Sequence, residues 1–247
     1  MAQRTVVKNL TTFDDKRLHF GFTLAVMTLD FNIDHYPLVT DNVIYKHAVP
    51  EKIDGKEIDI NKPIRADISH LNPGFTVGII TNLRLTESLD LRFLPGMSFG
   101  GDRNLTYRIP VVSTDENNGT VISYNVSTKS IFLDFPLLVK YKAKRMNNQR
   151  PYLIGGVAYR IDISKSSKED LVRLKPFSSY LEAGMGWDTY LQFFRLSTEL
   201  KFSFGLSNIL DNGPVGTDGL PVTDQQVYTN AFSRLSSNIF TLSFHFE

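Results

Sequence analysis

Residues 194–206 read FRLSTELKFSFGL, and alternate positions carry opposite chemistry. Phe194, Leu196, Leu200, Phe202, Phe204 and Leu206 fall on one parity. Arg195, Ser197, Glu199, Lys201, Ser203 and Gly205 fall on the other. Successive side chains of a β-strand point to opposite faces, so this pattern predicts a strand with one greasy face and one face charged at its middle. Soluble strands cluster near ~5–6 residues, whereas crossing a bilayer at a tilt takes ~9–11. This segment has the longer dimension.

Seven further segments repeat the pattern: 20–30, 74–85, 90–100, 130–142, 152–162, 178–188 and 240–246. In the first, Phe20, Phe22, Leu24 and Val26 oppose Gly21, Thr23 and Ala25. In the last, Phe240, Leu242, Phe244 and Phe246 alternate with Thr241, Ser243 and His245. Pro95 falls inside 90–100, where a missing N–H predicts a bulge. Connections alternate too. Short ones fall near 86–89, 143–151 and 189–192, and long polar ones at 31–73, 101–129, 163–177 and 207–234.

Composition narrows the reading. The 247 residues carry 27 Lys+Arg against 26 Asp+Glu, a formal charge of +1, which supports no nucleic-acid partner. There is no cysteine, so disulfides, thiolate metal sites and cysteine nucleophiles are excluded. No run approaches the roughly 20 apolar residues of a membrane helix. That test leaves β-barrels open, because their strands alternate.

Alternation alone also fits a soluble sandwich or a lipocalin-like barrel. Strand length favours a membrane barrel, and so does the absence of charge from the apolar faces. The opposite faces place Arg92, Asp134, Lys140, Arg160, Glu182, Glu199 and Lys201 at mid-strand. A closed, narrow barrel would enclose these side chains and force them to pair, and both signs are present in similar number. Tyr141, Tyr159, Trp187, Tyr190, Phe193 and Phe194 lie near strand ends, where interfacial aromatic girdles are expected. The prediction is an all-β fold: a single eight-stranded antiparallel up-and-down transmembrane β-barrel over 1–247. Residues 1–18 would form a periplasmic leader, and the four long connections would be extracellular loops. An even strand count with both chain ends on the short-turn side is the bacterial outer-membrane plan. The opening MAQRTVVKNL lacks the apolar core of a signal peptide, so this location implies a signal already removed. Eight strands enclose room only for side chains or one small ligand, so the bore cannot pass a folded protein.

Three stretches resemble the PorT/SprT family: FDDKRLHFGFTL (13–24), FLDFPLLVKYKAKRMNNQRPYLIGGVAYRIDI (132–163) and LSTELKFSFGL (196–206). The resemblance runs from residue 13 to the end and weakens in 31–73 and 101–129. It implies a Bacteroidetes outer-membrane barrel associated with the type IX secretion system, which exports proteins carrying a C-terminal signal domain and serves gliding motility in some members. The final FTLSFHFE looks like the aromatic-ended strand read by the barrel assembly machinery. Glu247 after Phe246 is a departure from that pattern.

Candidate chemical sites are sparse. His35 with Asp34, or His70 with Ser69 and Asp67, could be read as parts of a lipid-modifying centre. Neither has a nucleophile on a strained elbow or a third member. His19, His47 and His245 complete the histidines. The stretch DNGPVGTDG (211–219) holds Asp211, Asn212 and Asp218 but lacks the alternating acids and closing Glu of a calcium loop. Gly96, Gly100 and Gly101 precede no helix and so form no phosphate loop. Gly155, Gly156, Gly184, Gly186 and Gly205 would make room in a narrow bore or let strands bend. The charged loop 40–68 is the largest candidate partner surface, and segment 3–18 could be a docking tail, a plug or a disordered leader.

The expectation is a non-enzymatic accessory component of the type IX machinery, with no catalytic residue, cofactor or metal. Its partners would be outer-membrane lipid, other secretion-system proteins, and the barrel assembly machinery during biogenesis. An OmpX-like barrel binding external partners through its loops, and a small lipid-modifying enzyme, are the alternatives.

Overall fold

A computed structural model of the chain describes residues 8–38, 41, 52–53, 56–59, 61–101, 103–112, 121–128, 131–164, 174–211 and 231–247. The strands in chain order are β1 (Leu18–His35), β2 (Lys52–Ile53), β3 (Lys56–Glu57), β4 (Arg65–Leu71), β5 (Pro73–Arg84), β6 (Leu89–Phe93), β7 (Gly96–Gly100), β8 (Arg103–Pro110), β9 (Val121–Thr128), β10 (Ile131–Lys142), β11 (Gln149–Asp162), β12 (Phe177–Tyr190), β13 (Arg195–Gly205) and β14 (Phe232–Phe246). A 3-10 turn at Phe13–Asp15 precedes β1.

Each barrel strand pairs antiparallel with its neighbours in the order β1–β14–β13–β12–β11–β10–β6/β7–β5, and β5 returns to β1. The ring therefore closes on eight strands, because β6 and β7 are two halves of one strand. They part at Leu94–Pro95, where Pro95 has no N–H for the ladder. The break is bridged by Ile79 N–H donating to Pro95 O at 2.9 Å and Leu94 N–H donating to Pro136 O at 3.1 Å. Closure leaves no open edge, the condition for spanning hydrocarbon with strands.

β1 shows how the barrel meets its surroundings. Its outward residues begin Phe20, Phe22, Leu24 and Val26, with Phe20 63% and Val26 50% exposed. They continue as Thr28, Asp30, Asn32 and Asp34. The inward residues run the other way, from Gly21, Thr23 and Ala25 to Met27, Leu29 and Phe31. Strand β14, paired with β1 from Phe22↔Phe246 to His35↔Phe232, makes the same exchange. Phe240 faces out while Ser243 and His245 are buried; further along, Arg234 is exposed and Leu235 and Ile239 are buried. Polarity thus changes sides near Thr28. Below that level the wall is greasy outside and polar inside; above it the wall is polar outside and apolar inside.

The upper part departs from the sequence expectation. The spans 31–73 and 101–129 are not simple loops. β1 continues five residues past Asp30, and β4, β8 and β9 form a three-stranded antiparallel sheet. Likewise Phe177 already belongs to β12, and β14 starts at Phe232, inside the span 207–234. Between β7 and β8, Gly100 and Gly101 take positive φ of 73° and 74°, a region that favours glycine. A Cβ on Gly101 would lie 2.1 Å from Leu29 Cδ1. The sheet beyond this bend lays Ala66, Leu105, Tyr107 and Ile109 onto Phe31, Phe232 and Leu235, making an apolar core at the long-loop end.

Candidate functional site

The bore holds the chemistry, in two charged layers. In the layer nearer the short turns, Arg92 Nη1 donates to Glu199 Oε2 at 2.5 Å and Arg92 Nε to Asn82 Oδ1 at 2.8 Å. Lys140 Nζ donates to both carboxylate oxygens of Asp188, at 2.8 and 2.7 Å, and Ser197 Oγ donates to Asp188 Oδ1 at 2.6 Å. Arg195 donates to Glu247 and lies 3.8 Å from Asp188. Asn82 Nδ2 donates to the Glu247 carboxylate at 2.6 and 2.7 Å. His245 contacts Thr23 Oγ1 through Nδ1 at 2.8 Å and approaches Glu199 to 3.4 Å through Nε2. Arg92, Lys140 and Arg195 balance Asp188, Glu199 and Glu247.

Tyr152 ties this layer to the wall. Its hydroxyl donates to Glu199 Oε2 at 2.9 Å, and Lys140 Nζ sits 3.7 Å from its ring centroid. Directly across the ladder is Gly186, where a Cβ would lie 2.3 Å from the ring. The aromatic covers the bare glycine, so this position admits no side chain. Nearby, Lys142 Nζ donates to Asp90 Oδ1 at 2.5 Å.

The second layer joins Asp134, Arg160, Glu182 and Lys201. Arg160 Nε donates to Asp134, and its Nη2 donates to Glu182 Oε1 at 2.9 Å. Lys201 Nζ lies 2.8 Å from Glu182 Oε2, and Ser203 Oγ donates to Glu182 Oε1 at 2.7 Å. Two cations again meet two carboxylates. Met27, Leu29, Phe132, Tyr180 and Ile239 pack together toward the long-loop end. A space of about 40 Å³, lined by Thr23, Ser98, Arg160, Lys201 and Thr241 among others, is the scale of a water or two. Among the described residues the bore is filled by side chains.

The short-turn mouth is also covered. Asp14 lies 3.3 Å from Arg150 Nη1 and 3.7 Å from Arg145 Nη1, and Tyr190 OH donates to it at 3.0 Å. Phe13 stacks on His19 at 4.1 Å, and the Arg195 guanidinium lies 4.7 Å from the Phe13 ring centroid. Asn148 Oδ1 accepts the N–H of Lys8 at 3.2 Å and of Asn9 at 3.0 Å. Residues 8–17 of the expected leader are therefore fastened across the mouth.

All seven charges singled out in the sequence lie inside the wall. Arg92, Lys140 and Glu199 share the first layer, and Asp134, Arg160, Glu182 and Lys201 the second. Sequence reading left out Asp90, Lys142, Asp188 and Arg195 as ion partners, although they sit on the same parity. Glu247, read as a departure from an aromatic terminus, continues the inward series Ser243–His245 and closes the first layer. Tyr190 was expected in the outer girdle, but it is 1% exposed and faces the bore. Tyr141, Tyr159, Trp187, Phe193 and Phe194 face outward.

Of the histidine candidates, the described one does not assemble. His35 Nε2 accepts the Ala66 N–H at 3.0 Å, fastening β1 to β4, while its neighbour Asp34 points to the other face. The side chains of Ser69 and His70 lie outside the described residues, and Asp67 pairs with Arg108 at 3.6 Å on the exposed face. His47, most of residues 40–55 of the charged loop 40–68, and 212–219 of the calcium-like stretch also lie outside them. Among the described residues no group of three or more potential metal ligands converges.

Among curated proteins none matches the chain. Among solved structures, the outer membrane protein OprG from Pseudomonas aeruginosa is similar at 12% identity, covering 92% of this chain and 94% of its own, with a TM-score of 0.44. The family described as outer membrane protein beta-barrel domain matches residues 1–211. With its closed eight-strand ring and greasy outer belt, this outer-membrane chain belongs to the outer membrane protein beta-barrel domain family.

Proposed function

We propose that the protein is a non-enzymatic, non-conducting barrel that anchors a folded outer-end layer and a fastened N-terminal segment in the outer membrane, serving as an accessory component of the type IX secretion machinery. The observation that carries the non-conducting part is the filled bore: two neutral charge layers, an apolar layer and the segment 8–17 stand in series. A folded export substrate has no route through it, so any role in export is structural. The secretion assignment rests on the PorT-like stretches 13–24, 132–163 and 196–206.

In this reading the lipid belt contacts outer-membrane lipid, the aromatic-rich last strand serves recognition by the barrel assembly machinery, and partner proteins of the secretion system dock at either end. Deleting the gene and assaying export of proteins with C-terminal signal domains tests it. Loss of export, restored by the wild-type gene, is expected. Normal export in the deletion strain would remove the secretion role. The three-stranded sheet β4–β8–β9 favours one second reading, an OmpX-like display of outer-end strands to external partners.

A further inference from the structure

The lipid-facing belt carries a groove of about 480 Å³ at the short-turn end of β10–β13. That volume lies within the range of built small-molecule sites, roughly 300–1,000 Å³. Small residues Ala143, Pro151 and Thr198 line it together with large outward residues Tyr141, Met185 and Trp187. Behind it, Gly186 carries no side chain and the inward Tyr152 ring backs the wall.

The groove's position says what covers it. Tyr141 and Ala143 lead directly into the turn between β10 and β11, and Pro151 follows that turn. The groove therefore reaches the rim, at the depth where lipid headgroups meet hydrocarbon. Trp187 is held there by its Nε1–H donating to Gln149 Oε1 at 2.5 Å, an orientation a freely rotating belt residue lacks. The next residue on the turn, Lys144, is exposed, and a lysine beside the rim can meet a headgroup phosphate. The groove is continuous with the greasy belt, so its occupant comes from the bilayer.

We infer that this groove is a specific phospholipid site: one acyl chain of a short-turn-side (periplasmic) leaflet glycerophospholipid packs along Trp187, which stands between Pro151 and Thr198 across the ladder, with its phosphate toward Lys144. The inference depends on the barrel assignment and not on the secretion role.

Native mass spectrometry of the full chain, released from phosphatidylethanolamine/phosphatidylglycerol nanodiscs into mild detergent, tests it. The wild type should retain one phospholipid per barrel. Thr198→Phe, which fills the groove from an exposed outward position, should lower that occupancy at least tenfold. Val26→Phe, on the belt away from the groove, should leave it unchanged. Lys144→Glu should lower retention of phosphatidylglycerol more than that of phosphatidylethanolamine. The heat-dependent gel shift of each variant separates misfolding from loss of lipid. A wild type with no retained lipid, a folded Thr198→Phe variant retaining as much as wild type, or a wild-type dimer lost in Thr198→Phe would overturn the site.

Discussion

The lower and upper halves of β1 use the same alternation for opposite ends. Below Thr28 the outward face is Phe20, Phe22, Leu24 and Val26, and the inward face leads to ion pairs. Above it the outward face is Asp30, Asn32 and Asp34, and the inward face is Leu29 in the bore's apolar layer, then Phe31 and Ile33 in the outer core. The lower half is solvated by lipid and must hide its charges; the upper half is solvated by water and must hide its grease. The strand itself does not change, only the solvent does. The bore charges therefore report on the membrane. In a water-bathed sandwich, Arg92 or Glu182 on this wall would have faced outward, unpaired and unremarkable.

Breaking a bore layer should have the largest effect. Glu182→Ala leaves Arg160 and Lys201 facing each other with one carboxylate fewer, and removing one partner of a buried pair costs about 3–5 kcal/mol. Urea unfolding in lipid, followed by the fluorescence of the single tryptophan, Trp187, measures the loss. A change below 1 kcal/mol would mean the layer is not closed.

Placing a charge on each half of one face sharpens the contrast. Leu24→Lys puts an ammonium in lipid and should cost about 2–4 kcal/mol near the bilayer midplane. Asn32→Lys, eight residues further along the same face, should change stability by less than about 0.5 kcal/mol. Equal costs at both positions would erase the boundary.

A smaller effect is expected at the bend that folds the outer sheet over the barrel mouth. Gly101→Ala must hold a positive φ and push against Leu29, which costs about 1 kcal/mol or more. It should loosen the outer core first, seen as faster amide exchange in β8 with little change in the urea midpoint of the barrel. Unchanged exchange would mean that the bend does not position the sheet.

The barrel was legible because period-two alternation survives in all eight crossings, even through the Pro95 break. The outer layer was not, for a physical reason visible in β1. Greasy outward faces mark the crossings, and at Asp30 the grease moves inward without any break in alternation. Met27, Leu29, Phe31 and Ile33 carry the signal, as do Leu105, Tyr107 and Ile109 of β8, but on the face that is polar within the lipid belt. Within the bore, parity alone placed the seven charges, yet it could not pair them. Pairing depends on shear between strands, which brings Arg92 of β6 to Glu199 of β13 across the lumen. Tyr190 was misplaced because its position at a strand end outweighed its parity: it continues the inward series Glu182–Asp188, and its hydroxyl meets Asp14, 176 residues away in the chain.

The change of sides at Thr28 is the claim on which the rest stands, and a cysteine-free chain makes it directly measurable. Single cysteines at 22, 24, 26, 30, 32 and 34, spin-labelled in lipid vesicles, can be probed with oxygen and with a water-soluble nickel chelate. The account predicts oxygen-dominated collisions at 22, 24 and 26 and nickel-dominated collisions at 30, 32 and 34. Oxygen-dominated collisions at all six positions, or nickel-dominated collisions at 24, would contradict it.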